Sequence, residues 1–179
     1  PGAITMAVIA FLSFNLSMGA MFGPFSVMIG AIEAKLHVTR EASTLPIPVA
    51  TFVMSLLAPV AGALLAKYSL RLLMMGGALM MLAGYLVASV TNSLAVFVGA
   101  YGVLIAPGLC ICGAVAPSVL VARWFRSNRG TALAAAATPA LLALTPIPTQ
   151  VILSNYGLSQ VYWLFAGMMV LCLAATAMV

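Results

Sequence analysis

The stretch that decides the fold lies between Arg71 and Arg123 and reads, from Leu72 to Ala122, LLMMGGALMMLAGYLVASVTNSLAVFVGAYGVLIAPGLCICGAVAPSVLVA. It carries no charged side chain and is more than twice as long as the roughly 20 apolar residues that cross a bilayer as a helix. Its one run of three polar residues, at positions 91–93, is typical of a turn. The stretch therefore predicts two consecutive membrane-spanning helices joined by a short polar turn.

The rest of the chain has the same organisation. Uncharged stretches precede Glu33, separate Glu41 from Lys67, and follow Arg129, and a polar segment at 154–160 divides the last of them. The expected spans cover about 3–31, 43–66, 72–90, 94–122, 131–153 and 161–179. Residues 1–179 are thus predicted to be one all-α membrane domain of six transmembrane helices.

The composition excludes an ordinary soluble domain. Hydrophobic residues make up 65% of the chain, charged residues 5%, and the mean hydropathy is +1.23, whereas soluble domains have about 25% charged residues. The surplus apolar surface must contact a lipid bilayer. Nucleic acid is not an expected partner, because the seven basic residues fall in three separate clusters and form no continuous basic face.

No catalytic or metal site is predicted. Cys110 and Cys112 are two residues apart and point to nearly opposite sides of a helix, so they cannot bind one metal ion together. They and Cys172 are interpreted as buried packing thiols. His37 is the single histidine and has no second ligand or adjacent nucleophile. We therefore expect no cofactor, no bound metal and no enzymatic activity.

The distribution of basic residues predicts the orientation in the membrane. Lys and Arg concentrate in loops that stay in the cytoplasm. Only Lys35 and Arg40 lie in the loops after spans 1, 3 and 5, whereas the loops after spans 2 and 4 carry five basic residues: Lys67, Arg71, Arg123, Arg126 and Arg129. Both termini are therefore predicted to be cytoplasmic, in a plasma membrane or a bacterial inner membrane.

Two loops resemble those of a known family. The loop after span 2 reads GALLAKYSLR from Gly62 to Arg71, and the loop after span 4 reads ARWFRSNRGTAL from Ala122 to Leu133. With six spans and a Tyr156–Gly157 pair before the last one, they resemble the N-terminal half of a major facilitator superfamily transporter. The resemblance is closest to the monocarboxylate transporter and oxalate/formate antiporter group.

The resemblance implies a fold, a function and a partner. The fold is two inverted three-helix repeats, completed by a C-terminal six-helix half of the same transporter. The function is secondary active or facilitative transport of a small solute by alternating access, with an organic anion such as a monocarboxylate as substrate. The cytoplasmic loops would brace and gate the two halves through Gly62, Lys67, Arg71, Arg123, Arg126 and Arg129; the alternative is a role in topology and lipid contact alone.

Helix interruptions mark the candidate substrate path. Transporters often bind solute where helices are broken and backbone groups are free, and the resemblance places spans 1 and 4 at the central cavity. Gly23–Pro24 and Pro107–Gly108 are such interruptions, although they could also be simple packing kinks. The further candidates are Asn15, Ser17, Met18, Phe22 and Thr138. Asn15 is expected to line the cavity or to bond another helix, and packing is the alternative for Met18 and Phe22.

A Pro-Ile-Pro sequence occurs at residues 46–48 in span 2 and again at 146–148 in span 5. We call these the two Pro-Ile-Pro motifs. We expect both to lie near the outer leaflet and to loosen the outer ends of these spans for gating.

Two other functions are compatible with the sequence. A multidrug or other efflux transporter of the same superfamily is favoured by the absence of charge at membrane depth and by the methionines of span 1. A membrane sensor or scaffold that does not transport is the alternative from another class.

Overall fold

A computed structural model describes residues 2–125 and 129–179. Within these ranges, six helices are long and apolar enough to cross a membrane: Ile4–Phe22, Arg40–Lys67, Leu70–Val90, Leu94–Trp124, Gly130–Tyr156 and Leu158–Thr176. We number them spans 1 to 6. They confirm the predicted all-α class and the six apolar helices of spanning length, and they indicate a multi-pass membrane protein.

Four of the spans, with the continuation of span 1 included, are built from several helical segments. Span 1 is helix Ala3–Phe22, which Phe25–Leu36 continues after a kink. Spans 3 and 6 are the single helices Leu70–Val90 and Leu158–Thr176. The remaining segments are Arg40–Thr44 and Pro46–Lys67 in span 2, Leu94–Gly99, Ala100–Ile105, Ala106–Leu109, Cys110–Val115 and Ala116–Trp124 in span 4, and Arg129–Ala136, Ala140–Leu144 and Pro146–Tyr156 in span 5.

The two Pro-Ile-Pro motifs begin helices in the same local setting. Each follows a five-residue helix, Arg40–Thr44 or Ala140–Leu144, and each supplies the first residue of the next helix. Proline is tolerated there because the first N–H groups of a helix have no partner within that helix. The chain can therefore continue as one apolar span through two prolines, with a joint between the segments.

Span 4 contains two π-helical segments, Ala100–Ile105 and Cys110–Val115. Each ends two residues before a proline, Pro107 or Pro117. A proline has no N–H to donate, and its ring clashes with the carbonyl of the preceding turn. The wider π turn accommodates the ring without ending the helix.

The spans form one bundle in which spans 1, 3, 4 and 6 make up most of the interior. Span 3 packs along span 6, span 1 packs on spans 4, 5 and 6, and span 4 packs on spans 2 and 3. Aromatic side chains fill one end of this core, where Tyr85, Tyr101, Tyr162, Phe97 and Phe165 are almost fully buried. In their most apolar windows only 17% of span 2 and 11% of span 5 is buried, so these two spans are peripheral.

The short connection between spans 5 and 6 depends on Gly157. Its φ of 83° lies in the region that side chains disfavour. Helix Pro146–Tyr156 ends there, and helix Leu158–Thr176 begins at the next residue. A glycine thus lets the chain reverse direction within one residue.

Candidate functional site

The helix interruption in span 5 leaves polar backbone groups without partners in their own helix. Helix Arg129–Ala136 ends before Thr138, and Pro139 adopts φ −84° and ψ 59°, the conformation of an inverse γ-turn. The Ala140 N–H donates to the Thr138 carbonyl at 2.9 Å and closes this turn. The next helix then begins with N–H groups that have no partner within it.

Asn15 of span 1 satisfies this interruption. Its Nδ2 donates to the Thr138 carbonyl at 3.0 Å, and its Oδ1 accepts the Leu141 N–H at 2.9 Å. The second Nδ2 hydrogen bonds to the Phe11 carbonyl at 3.1 Å on its own helix. Asn15 therefore caps a helix of another span. Two roles were expected for it, cavity lining and bonding to another helix, and its side chain, 1% exposed, has the second.

Spans 1 and 5 approach closely around this contact. The Thr145 hydroxyl donates to the Gly19 carbonyl at 2.9 Å. A Cβ added at Gly19 would lie 3.0 Å from the Leu141 Cβ, and one added at Gly23 would collide with Thr145 and lie 2.7 Å from the Leu142 carbonyl oxygen. The two glycines therefore serve the contact with span 5, and small residues have that role in many membrane helix pairs.

Thr138 and Ser17 have different surroundings. The Thr138 side chain is exposed and donates to the Ala134 carbonyl at 3.0 Å on its own helix, so only its backbone takes part in the contact with Asn15. Ser17 is fully buried, and its hydroxyl has no hydrogen-bond partner among the described residues. Of these two candidates, Ser17 holds the unused polar group.

The π segments of span 4 leave particular carbonyls without a partner. The Ala116 N–H donates to Ile111, five residues back, and the next bond of that ladder would run from Pro117 to Cys112. Because Pro117 has no N–H, the Cys112 carbonyl lacks this backbone donor. Ser13 of span 1 donates to it at 2.8 Å. The first π segment is interrupted in the same way at Pro107, where an N–H group would have donated to the Gly102 carbonyl.

The Pro107–Gly108 interruption packs against span 3. A Cβ added at Gly108 would collide with the Gly77 carbonyl and lie 2.7 Å from the Met81 Cγ. Gly108 is buried and Pro107 is half-buried. Gly108 therefore permits close approach of spans 3 and 4, a role that the sequence does not distinguish from cavity lining.

Two grooves flank span 1, and each is lined by one Pro-Ile-Pro motif. The groove toward span 2, of about 340 Å³, is bounded by Phe22 and Phe25 of span 1 and by Ile47 and Pro48. The groove toward span 5, of about 410 Å³, runs from Leu16 of span 1 to span 6. On the span 5 side it is bounded by Leu141, Leu144, Thr145, Ile147 and Pro148. Met18 is half-buried against the core, and Phe22 both packs on the core and borders a groove.

The two motifs lie at different levels along span 1. The span 2 motif borders residues Phe22 to Ile29, whereas the span 5 motif borders Leu16, and Thr145 beside it bonds Gly19. This difference is about two helical turns. The span 5 motif therefore lies nearer the middle of span 1 than the span 2 motif does, because it begins a helix that continues to Tyr156. The expectation that both motifs lie near the outer leaflet stays a prediction.

The expected gating residues lie at the opposite end of the bundle. Gly62, Lys67 and Arg71 are exposed, and the Lys67 ammonium lies 5.6 Å from the centre of the Tyr68 ring. Arg123 Nη2 donates to the Leu65 carbonyl at 3.4 Å and so connects span 4 to span 2. Arg126 and the side chain of Arg129 lie outside what the structure describes.

Lys35 has a role that sequence analysis missed. Its ammonium donates to the Ser89 carbonyl at 2.8 Å and lies 3.5 Å from the Ala88 carbonyl and from the Ser159 hydroxyl. These carbonyls belong to the last turn of span 3, where a positive charge is favourable. Burial lowers the pKa of Lys35 from its ordinary 10.5. In the sequence Lys35 counts only as a basic residue of a loop, which does not show that it joins spans 1, 3 and 6.

The described thiols form a contact that was not expected. The Cys112 and Cys172 sulfurs lie 3.5 Å apart, and the Ser13 hydroxyl is 3.1 Å from the Cys112 sulfur. The sequence interpretation treated them as separate packing residues, because 60 positions lie between them and no spacing rule connects them. Cys110 lies apart from the pair, with its sulfur 3.7 Å from the Met54 carbonyl.

Among residues 2–125 and 129–179, no group of three or more His, Cys, Asp or Glu side chains could hold a metal ion. His37 is exposed and ends helix Phe25–Leu36 in the left-handed region, at φ 52°. No model of a known protein family matches the chain, and no curated protein matches it either.

Proposed function

We propose that this chain is one helical bundle of a membrane transport protein that moves a small solute by alternating access. The observation that carries the proposal is the exposure of spans 2 and 5 on either side of span 1, with 17% and 11% of their apolar windows buried. Both are interrupted by proline joints beside grooves on span 1. A second bundle that closes over these spans would enclose a solute path between the two bundles.

The helix pairing supports this proposal. Span 1 contacts spans 5 and 6, while span 4, in the corresponding place three spans later, contacts spans 2 and 3. Two inverted three-helix repeats would produce such pairing. The proposed orientation has both termini in the cytoplasm, so that the loops with Lys67, Arg71 and Arg123 face inward.

The proposed substrate is a small organic anion such as a monocarboxylate. Between the loop clusters the chain has no charged residue, so its contribution to an anion site consists of polar side chains and free backbone groups. The cationic group that would neutralise the anion comes, in this proposal, from the second bundle. A specific observation favours a second candidate, export of apolar solutes: the groove beside span 5 is bounded by Leu, Ile, Met and Pro side chains and one threonine.

Reconstituted liposomes test the function directly. The full-length protein is placed in liposomes preloaded with an unlabelled monocarboxylate, dicarboxylate or lipophilic cation, and uptake of the same labelled compound is followed. Counterflow of a carboxylate supports the main proposal, and counterflow of the lipophilic cation alone supports the second candidate. Saturable binding without movement of any compound would refute both and favour a sensor or scaffold.

Exchange of one arginine tests the proposed gate. Arg71 is exposed at the proposed cytoplasmic end, and Arg40 is exposed at the other end. If Arg71 braces the two bundles, Arg71→Gln changes the rate of conformational cycling, measured by fluorescence between labels on the bundles, while Arg40→Gln leaves it unaltered. Equal rates for wild type and Arg71→Gln would leave topology and lipid contact as the role of this residue.

A further inference from the structure

Three spans bring two sulfurs and a hydroxyl into one buried contact. Cys112 of span 4 and Cys172 of span 6 are 0% exposed, and their sulfurs lie 3.5 Å apart. The hydroxyl of Ser13 in span 1 is 3.1 Å from the first sulfur and 3.7 Å from the second. Ser17, one helical turn further along span 1, adds a buried hydroxyl without a hydrogen-bond partner among the described residues.

We propose that Cys112 and Cys172 form a redox-reactive dithiol that a peroxide oxidises to an intramolecular disulfide joining span 4 to span 6. The inference does not depend on the transport proposal. It rests on the sulfur contact and on the neighbouring hydroxyl.

The geometry favours bond formation between these two sulfurs. A disulfide bond is about 2.05 Å long, so the sulfurs must approach by about 1.5 Å. Cys112 lies in the π segment Cys110–Val115, where the backbone ladder is already incomplete because Pro117 has no N–H. The Cys112 carbonyl is held by Ser13 rather than by its own helix, so this segment can shift without losing a helical hydrogen bond at that carbonyl.

The hydroxyl of Ser13 supplies a way to stabilise the reacting thiolate. It now donates to the Cys112 carbonyl at 2.8 Å, and the Cys112 sulfur is only 0.3 Å further away, at 3.1 Å. Rotation about the Ser13 side chain would turn the O–H to the sulfur once that sulfur is ionised. This hydroxyl contacts both sulfurs, at 3.1 Å from Cys112 and 3.7 Å from Cys172.

The oxidation balances with hydrogen peroxide as the oxidant. The Cys112 thiolate attacks one peroxide oxygen, an S–O bond forms and the O–O bond breaks. The hydroxide that leaves takes up the thiol proton as water. The Cys172 sulfur then attacks the sulfenic sulfur, an S–S bond forms, the S–O bond breaks, and the second oxygen leaves as water with the proton of the second thiol. Two thiols lose two electrons and peroxide becomes two waters.

The test uses the full protein in lipid nanodiscs, with Cys110→Ser as the matched control. Cys110 lies on the same span and is also buried, but its sulfur faces Met54. Reduced protein is exposed to hydrogen peroxide or to the lipid-soluble cumene hydroperoxide, then denatured, alkylated and digested. We expect a Cys112–Cys172 linked peptide in wild type and in Cys110→Ser, and the return of both thiols after treatment with dithiothreitol.

The single variants test the pairing. In Cys112→Ser and Cys172→Ser, no linked peptide forms and the remaining thiol stops at a sulfenic acid that dimedone traps. If a variant does not fold, wild type and Cys110→Ser still decide the question. Full alkylation of Cys112 and Cys172 after both peroxides, under conditions that oxidise the same protein in denaturing detergent, would overturn the proposal. A linked peptide that contains Cys110 instead would also overturn it.

Discussion

Replacement of Asn15 by leucine should destabilise the bundle by removing the cap on span 5. Leucine has a similar volume, so the change removes hydrogen bonds without opening a large cavity. The Thr138 carbonyl keeps its bond to Ala140, whereas the Leu141 N–H loses its partner in the structure. The local bond to Phe11 is also lost, but it does not join two spans.

The magnitude follows from the two bonds that cross between the spans. Interhelical hydrogen bonds in membranes contribute about 0.6 kcal/mol on average and up to about 1.7 kcal/mol. A buried donor left without a partner costs about 1 to 3 kcal/mol. We therefore expect Asn15→Leu to lower the free energy of unfolding by about 1 to 3 kcal/mol.

The matched control is Asn155→Leu in span 5. Asn155 is exposed, and its Nδ2 bonds only the Val151 carbonyl of its own helix, at 2.8 Å. Equilibrium unfolding in mixed lipid and dodecyl sulfate micelles, followed by tryptophan fluorescence, measures both variants against wild type. If the two substitutions change the free energy of unfolding by the same amount, the interhelical cap does not stabilise this fold and the reasoning fails.

Three further predictions concern other contacts. Gly108→Val should abolish folding, because a Cβ there collides with the Gly77 carbonyl. The control Gly99→Val should fold, because a Cβ at Gly99 would meet no described atom within 4 Å. The yield of monodisperse protein in detergent compares the two variants, and equal yields would contradict the close approach of spans 3 and 4. Lys35→Met should lower the free energy of unfolding by about 1 kcal/mol, because it removes the hydrogen bond from the side chain to the Ser89 carbonyl, a loss that thermal unfolding detects. Because burial lowers the pKa of Lys35 below 10.5, the unfolded chain binds this proton more tightly, so stability should rise with pH between the lowered pKa and 10.5, a slope that the variant lacks. Alanine at all four prolines of the two Pro-Ile-Pro motifs should slow transport in liposomes, while Pro59→Ala, in the interior of the span 2 helix, serves as control; an unaltered rate in the fourfold variant would exclude a gating role.

Several features of the fold could be predicted from the sequence. The six spans follow from local hydropathy, because a bilayer requires about 20 consecutive apolar residues whatever the rest of the chain does. The turn at 91–93 and the helix irregularities at Gly23–Pro24 and Pro107 follow from the chemistry of single residues, since proline lacks an N–H and polar runs mark loops. The two Pro-Ile-Pro motifs could also be identified in the sequence. The part of span 1 that each motif borders could not be predicted, because it depends on how the helices pack.

The candidate site shows the limit of this reasoning. Asn15 was identified because a lone amide in an apolar span needs a partner, yet its partners Thr138 and Leu141 lie more than 120 positions away. The same holds for Lys35 with Ser89, and for Cys112 with Cys172, whose sequence separations are 54 and 60. No local pattern encodes such pairs.

The sequence by itself determined that this protein lies in a lipid bilayer and how many of its helices are long and apolar enough to cross it, because both depend on the length and polarity of consecutive residues. Only the tertiary structure decided which helices meet: that span 5 is capped by span 1, that two glycines bring spans 3 and 4 together, and that two distant thiols share one hydroxyl. The physical reason is that all six spans are apolar around most of their surface, so hydropathy does not distinguish a face that contacts lipid from one that contacts protein. The choice is made by close packing and by a few hydrogen bonds between residues far apart in the chain.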